Sequence, residues 1–363
     1  MVYRYLFLLF LSVLLSTEGF AWGFFAHRRI NRMAVFLLPP EMTGFFKSNI
    51  QFLTENAVNP DRRRYAVEGE APRHFIDADV YGDSAVYTLP RYWNEAVEKY
   101  TEDTLQKYGI VPWHINRMKY RLTKAFEERN VRRILLLAAD LGHYIGDGNV
   151  PLHTTENYNG QLSGQYGIHG FWESRLPELF FDEYDFFFEQ GASYIENPQL
   201  AAWEGVVRAH EALDSVLEFE RVLTERMGVD KKYAFETRGN VNVRVYSREF
   251  SRAYHDMLNG QVERRMRACV KLTADFWYTC WVDAGQPNLD EITELSPEEL
   301  KEIRQEMEEL RNRQKIKSRE HESRLNAPQN DLRAARSQPT PALSFGQTYL
   351  IALHRQRKPN NRP

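Results

Sequence analysis

Cysteine is nearly absent from this chain of 363 residues, which carries only Cys269 and Cys280. The fold therefore does not depend on disulfides. On one continuous helix the two thiols would stand about 16 Å apart along the axis, so pairing them needs a break between them. Beyond the first fifteen residues no apolar run is long enough to make a membrane helix, so no transmembrane segment is expected in the mature chain. Strand-type alternation is scarce, with Val241 to Tyr246 the one short candidate. There are no internal repeats and no phosphate-cradling glycine loop of the nucleotide-binding type. An excess of positive charge is also missing. The net charge of −3 gives no general attraction to nucleic acid or to anionic membranes.

At the amino end, Arg4 precedes an apolar stretch from Leu6 to Leu15, and Gly19 and Ala21 are small residues at signal-peptidase spacing. The pattern predicts a signal peptide over 1–21 and an exported protein, periplasmic or extracellular. With no cysteine near the cut, a lipid anchor is not expected. Cleavage after Ala21 would make Trp22 the first residue. A free α-amino group titrates near about 8 and, once neutral, can chelate a metal together with its own carbonyl. His27, five residues on, can join the same ion.

The chemistry-bearing run comes later. His143-Tyr-Ile-Gly-Asp147, then Pro-Leu-His153, then His169-Gly-Phe-Trp-Glu173 place three imidazoles and two carboxylates within 31 residues. Each outer pair is spaced by four, so each projects from one face of a helix. With His153 between them, the pairs form pincers suited to more than one metal ion. Mixed nitrogen and oxygen donors suit zinc in a hydrolytic site. Upstream, Asn59-Pro-Asp61 leads through Arg62, Arg63 and Arg64 to His74-Phe-Ile-Asp77-Ala-Asp79. Asp61 and His74 are 13 residues apart and would have to meet through a loop. Asp77 and Asp79 are candidates to orient histidine ligands or to touch substrate. Of the ten histidines, His114, His210, His255, His321 and His354 stand outside the series and are expected to be packed or surface residues.

Taken in order, Trp22, His27, Asp61, His74, His143, Asp147, His153, His169 and Glu173 resemble the ligand set of the zinc-dependent phospholipase C and S1/P1 nuclease superfamily. The resemblance runs from Trp22 to about the 280s. It implies an all-α enzyme domain over 22–290 with three zinc ions. The first would be held by Asp61, His74, His143 and Asp147. The second would be held by the amino and carbonyl groups of Trp22, by His27 and by Asp147. The third would be held by His153, His169 and Glu173. Asp147 would then bridge two ions about 3.5–4 Å apart. The Trp22-to-His27 spacing is similar to the nucleases. Glu173 is similar to phospholipase C, because the nucleases usually carry aspartate there. Glu156-Asn-Tyr-Asn-Gly160 stands where the nucleases place a Gly-Gly-Asn element and does not match it cleanly.

The resemblance implies hydrolysis of a phosphodiester, with a hydroxide bridging two zincs as nucleophile. Asp61 and Asp77 are the nearest general-base candidates, beside the bridging Asp147. Arg62, Arg63, Arg64 or Arg73 could position phosphate, or form a solvated surface. Phospholipase C–like action on a phospholipid head group comes first. An S1/P1-like nuclease acting on single strands and a non-enzymatic zinc-binding protein are the alternatives. No protein partner is inferred.

Periodicity predicts helices over Val131 to Tyr144, Ala202 to Met227 and Ser247 to Trp281. The aromatic run Tyr184-Asp-Phe-Phe-Phe188 is read as packing in preference to a lipid-facing patch. Ser296-Pro-Glu-Glu opens a charged helix within 291–325. In it Leu300, Ile303, Met307 and Leu310 keep heptad spacing for under two heptads, too short for a coiled coil. From Asn326 to the end, little can be buried and disorder is expected.

Overall fold

The helix Val131–Asp147 organises the molecule. Asn130 caps it by accepting a hydrogen bond from the Arg133 amide at 3.0 Å. From Ile134 onward nearly every side chain is buried, as expected of a helix with neighbours on all sides. The computed structural model describes residues 23–238, 241–291 and 295–313. The expected leader, Trp22, His321, His354 and the tail from Asn326 lie outside the described residues. The described part is mostly helical with one two-stranded sheet, an all-α architecture.

Around Val131–Asp147 pack the amino-terminal helix Gly23–Ala34, the helix Val111–Glu127 and the long helix Gln261–Asp283. Two glycines set the closest of these approaches. A Cβ on Gly142 would stand 1.9 Å from Asn31 Oδ1, and one on Gly146 would stand 2.7 Å from His27 Nδ1. Glycine in mid-helix costs about 1 kcal/mol relative to alanine. Here it clears a strip on which the amino-terminal helix lies, and Asn31 spans the contact by donating to the Ala139 carbonyl at 3.0 Å.

The described residues form two apolar cores. One surrounds Phe46, Phe126, Trp203 and Trp277, with the Trp277 indole donating to the Ala138 carbonyl at 3.0 Å. The other surrounds Phe171, Tyr246, Phe250 and Tyr254. Ile145 belongs to the first and Val150 and Leu152 to the second, so Asp147 sits where the cores meet.

Several expected elements are divided. Ser247 to Trp281 is two helices, Arg248–Met257 and Gln261–Asp283, parted by Asn259 and Gly260 at φ of 47° and 71°. Ala202 to Met227 divides at Ala212 into Pro198–Glu211 and Leu213–Met227. Apolar periodicity continues across both breaks, which is why the sequence reads as continuous. Val241–Tyr246 is a strand. Its antiparallel partner Tyr233–Arg238, with Tyr233 opposite Tyr246, was not anticipated. Cys269 and Cys280 lie on Gln261–Asp283 as free, buried thiols, and burial raises each pKa to about 12. Tyr184 is buried and Phe186 and Phe188 pack on the second core, while Phe187 is exposed.

The charged helix Pro297–Asn312 begins with a capping box between Ser296 and Glu299. It is seated on the domain. Ile303 is buried in the first core and Leu300 packs beside it. Arg132 reaches Glu302 at 3.0 Å and Glu306 at 2.6 Å. Exposed pairs of that kind contribute little. Burial of Ile303, worth about 1.5–3 kcal/mol, is the stronger tether. Among the described residues, no helix is long and apolar enough to cross a membrane.

Candidate metal centre

Six segments bring eight of the nine expected ligands together. His27 comes from the amino-terminal helix and Asp61 from the one-turn helix Asn59–Arg63. His74 closes the 3₁₀ turn Ala71–His74, and His153 lies in the 3₁₀ turn Pro151–Thr154. His143 and Asp147 share the last turns of Val131–Asp147. Their four-residue spacing brings His143 Nε2 to 3.1 Å from Asp147 Oδ2. His169 and Glu173 achieve the same by other means. His169 caps and Glu173 lies within a π-helical turn over Gly170–Arg175, where i→i+5 bonding widens the helix, and their Nε2 and Oε2 atoms are 2.6 Å apart.

Asp147 is fully buried and is the hub. Its Oδ2 faces His74 Nδ1 at 2.8 Å and His143 Nε2 at 3.1 Å. Its Oδ1 faces His27 Nε2 at 3.3 Å and His153 Nδ1 at 3.5 Å. Asp61 Oδ1 lies 3.6 Å from both His74 Nδ1 and His143 Nε2. Beyond Asp147, His153 Nε2 lies 3.0 Å from His169 Nε2 and 3.5 Å from Glu173 Oε2. Among the described residues four donor groupings follow, each with ligand atoms within 4.8 Å of one another. They are His27, Asp61 and His143; His74, His143 and Asp147; His153, His169 and Glu173; and His27, Asp147 and Glu173. The last links the third expected set to the second through Glu173.

These groups fit metal ions. Two donors about 2.0–2.1 Å from a tetrahedral zinc stand about 3.3 Å apart, and the separations here cluster around that value. Glu173 Oε2 is 2.6 Å from His169 Nε2, and Asp147 Oδ1 is flanked by the His27 and His153 imidazoles, so acids and ring nitrogens crowd one buried space. His143 shows the orientation most plainly. Its Nδ1–H donates to the Ala57 carbonyl at 2.9 Å, which leaves Nε2 facing the acids.

The electrostatics agree. Burial would raise the Asp147 and Glu173 pKa values, but the imidazoles beside them hold both well below the usual carboxylate range. Burial, helped by the nearby Arg64 and His143 charges, lowers His74 to about 4 against the pull of Asp147. Burial opposes protonation of His143 as well, yet Asp147 and Asp61 raise it to about 9. The acids thus draw a positive charge to this spot. Since His143 must be neutral to ligate, zinc binding to metal-free protein at pH 7.5 should release at least one proton per chain. Calorimetry in buffers of different ionisation enthalpy reads that number, and zero release would show that His143 stays out of the coordination.

A buried network behind His74 escaped the sequence reading. Glu70 lies one helical turn upstream and approaches His74 Nε2 at 3.8 Å. Glu70 accepts from the Tyr144 hydroxyl and pairs with Arg73 at 2.6 Å and Arg63 at 3.4 Å. Arg63 also grips Asp140 at 2.8 Å. Arg63 and Arg73 therefore pair with buried acids and are partly exposed. Arg64 is buried over Phe75. Only the four-residue offset of Glu70 from His74, and the three-residue offset of Asp140 from His143, hinted at this layer. Glu70→Gln should weaken metal binding by about 10–100-fold, the usual cost of losing such a partner, read by competition with a coloured chelator.

Asp77 belongs to none of the four groupings. It is buried just before the turn Ala78–Tyr81, and its amide donates to the Tyr108 carbonyl at 2.7 Å. Asp79 accepts from Thr155 Oγ1 at 2.5 Å and from the Glu156 amide at 2.9 Å, anchoring the chain just after His153. Among the other histidines, His114 is buried edge-on to the Tyr144 ring, and burial pushes its pKa well down. Neither a scan against models of known protein families nor a search of curated proteins finds a match for this chain.

Proposed function

We propose that the protein is a metal-dependent hydrolase of phosphoric esters, acting on phosphodiesters in the manner of phospholipase C, with zinc as the metal. The observation that carries this reading is the Asp147 carboxylate, whose two oxygens face two different sets of imidazoles. A buried carboxylate shared between donor sets is suited to hold two cations side by side. Asp61, His74, His143 and Asp147 would hold one ion, His27 and Asp147 another, and His153, His169 and Glu173 a third. Bound there, such ions neutralise the charge of a phosphodiester and lower the pKa of water toward about 7.

The chain's own residues supply the rest. The Ala57 carbonyl fixes the His143 ring, and Glu70 stands behind His74. Arg63 and Arg73 balance the charge of that second layer, so the negative field at the centre comes from Asp61, Asp147 and Glu173. No serine or cysteine nucleophile is required, and both thiols are buried and protonated. Asp61 is the acid best placed to accept a proton, because it borders both the imidazole cluster and a groove open to the surface. Glu173 favours the phospholipase-like reading over the nuclease.

The test is a substrate panel on zinc-loaded protein: a phosphatidylcholine emulsion, single-stranded nucleic acid and a chromogenic phosphodiester. Release of phosphocholine or of the chromophore, abolished by chelator and restored by zinc, is the expected result. Degradation of nucleic acid alone would move the assignment to a nuclease. Stoichiometric zinc with no turnover of any substrate would leave a metal-binding protein that is not an enzyme.

A further inference from the structure

One open cavity of about 1040 Å³ borders the candidate metal centre at Asp61 and is walled by a part of the chain outside the superfamily resemblance. One wall carries Phe24, Phe52 and Tyr65, and the opposite wall is the face of Pro297–Asn312 bearing Leu300, Met307 and Leu310. The volume matches that of small-molecule sites, and its lining is mixed: the apolar side chains alternate with polar ones such as Asn49, Gln51 and Glu55 on the domain side and Arg304 and Glu308 on the helix. The candidate metal ligand in that lining is Asp61, whose Oδ1 lies 3.6 Å from His74 Nδ1 and His143 Nε2. Arg62, over the Phe24 ring at 5.6 Å, lies beside it.

Helical spacing explains the wall. Leu300, Ile303, Met307 and Leu310 recur every three or four residues on one stripe of Pro297–Asn312. Ile303 is buried in the domain core, whereas Met307 and Leu310 are half-buried at the cavity. The stripe thus does two jobs. Its first half seats the helix and its second half presents an apolar surface to a groove that ends at a candidate metal ligand. The capping box and the Arg132 pairs hold that surface in register.

We infer that Met307 and Leu310 are specificity-determining residues. On this inference the C-terminal helix forms the wall against which the apolar substituent of the phosphoester lies while its phosphate reaches the metal centre beside Asp61. The inference rests on the hydrolase reading above. It predicts a preference for esters with an extended apolar group over methyl esters or inorganic phosphate.

The experiment is calorimetric titration of the zinc-loaded full chain with n-alkyl phosphonates from methyl to octyl, which keep the charged head and are not turned over. Each methylene placed against the wall should tighten binding about fourfold over the first several carbons. In Met307→Asp/Leu310→Asp, methylphosphonate should bind as before while the chain-length dependence flattens to less than about 1.5-fold per methylene. Met307→Gln, a milder change at a half-buried position, should reduce the slope in part and guards against a double variant that fails to fold. A flat series in the unsubstituted protein would overturn the inference and leave the hydrolase reading standing. So would a slope that persists in both variants. If zinc is bound and no phosphonate of any length binds, the inference and the hydrolase reading fall together.

Discussion

Asp147→Asn should abolish activity, lowering kcat by about a thousandfold or more, and should strip at least one metal equivalent from each chain. The substitution keeps shape and removes charge. Four imidazole nitrogens lie 2.8–3.5 Å from the two oxygens of Asp147, and all four rings are buried. An amide offers one good acceptor in place of two charged oxygens, so it cannot serve both sides. Its amino group would also face nitrogen donors. Losing one member of a buried charged set costs about 3–5 kcal/mol, so the variant should also unfold at lower urea. Metal content by atomic absorption, turnover of a chromogenic phosphodiester and a urea titration read the three effects. Full metal content with unchanged turnover would remove Asp147 from the centre of the proposal.

Chelation should have the second largest effect. The described fold has no disulfide, and its two cores meet at a cluster of acids and imidazoles. Without cations, Asp61, Asp147 and Glu173 are concentrated with only histidines to offset them. A ligand at a thousand times its Kd adds about 4 kcal/mol per site. For a domain of this size each kcal/mol moves Tm by about 2–4 °C. Removing even one ion should therefore lower Tm by about 10 °C, and removing all of them by more. Calorimetry before and after chelation, with zinc added back, measures it. An unchanged Tm would mean that the cluster satisfies itself without metal.

How far the site could be read in advance depends on the range of the interaction. His143 with Asp147, and His169 with Glu173, are local pairs, and period alone brings them together. The second case needed a π turn that nothing in Gly170-Phe-Trp-Glu-Ser-Arg175 announces, but the spacing survives a widened helix. The His74 approach to Asp61 was expected to need a loop and does. What stayed hidden acts at long range or through backbone. Glu70 looks like one more surface acid until Arg63, Arg73 and Tyr144 surround it. The breaks at Ala212 and Asn259–Gly260 lie inside unbroken apolar periodicity, because packing partners decide where those helices turn. The strand Tyr233–Arg238 alternates too weakly to stand out alone and forms because Val241–Tyr246 lies beside it.

The bare strip on Val131–Asp147 has a further consequence. His27 reaches Asp147 only because Gly146 offers no side chain where the imidazole rests, and Gly142 does the same for Asn31. The other imidazoles on the shared carboxylate come from segments after residue 60, so the helix Gly23–Ala34 reaches it from a separate part of the chain along the strip left bare by Gly142 and Gly146. The smallest possible enlargement, alanine at 146, would hold that piece off its seat and leave the centre with one jaw missing. Seating of that helix is thus a condition for completing the candidate centre: with His27 displaced, one side of the Asp147 carboxylate loses a nitrogen donor.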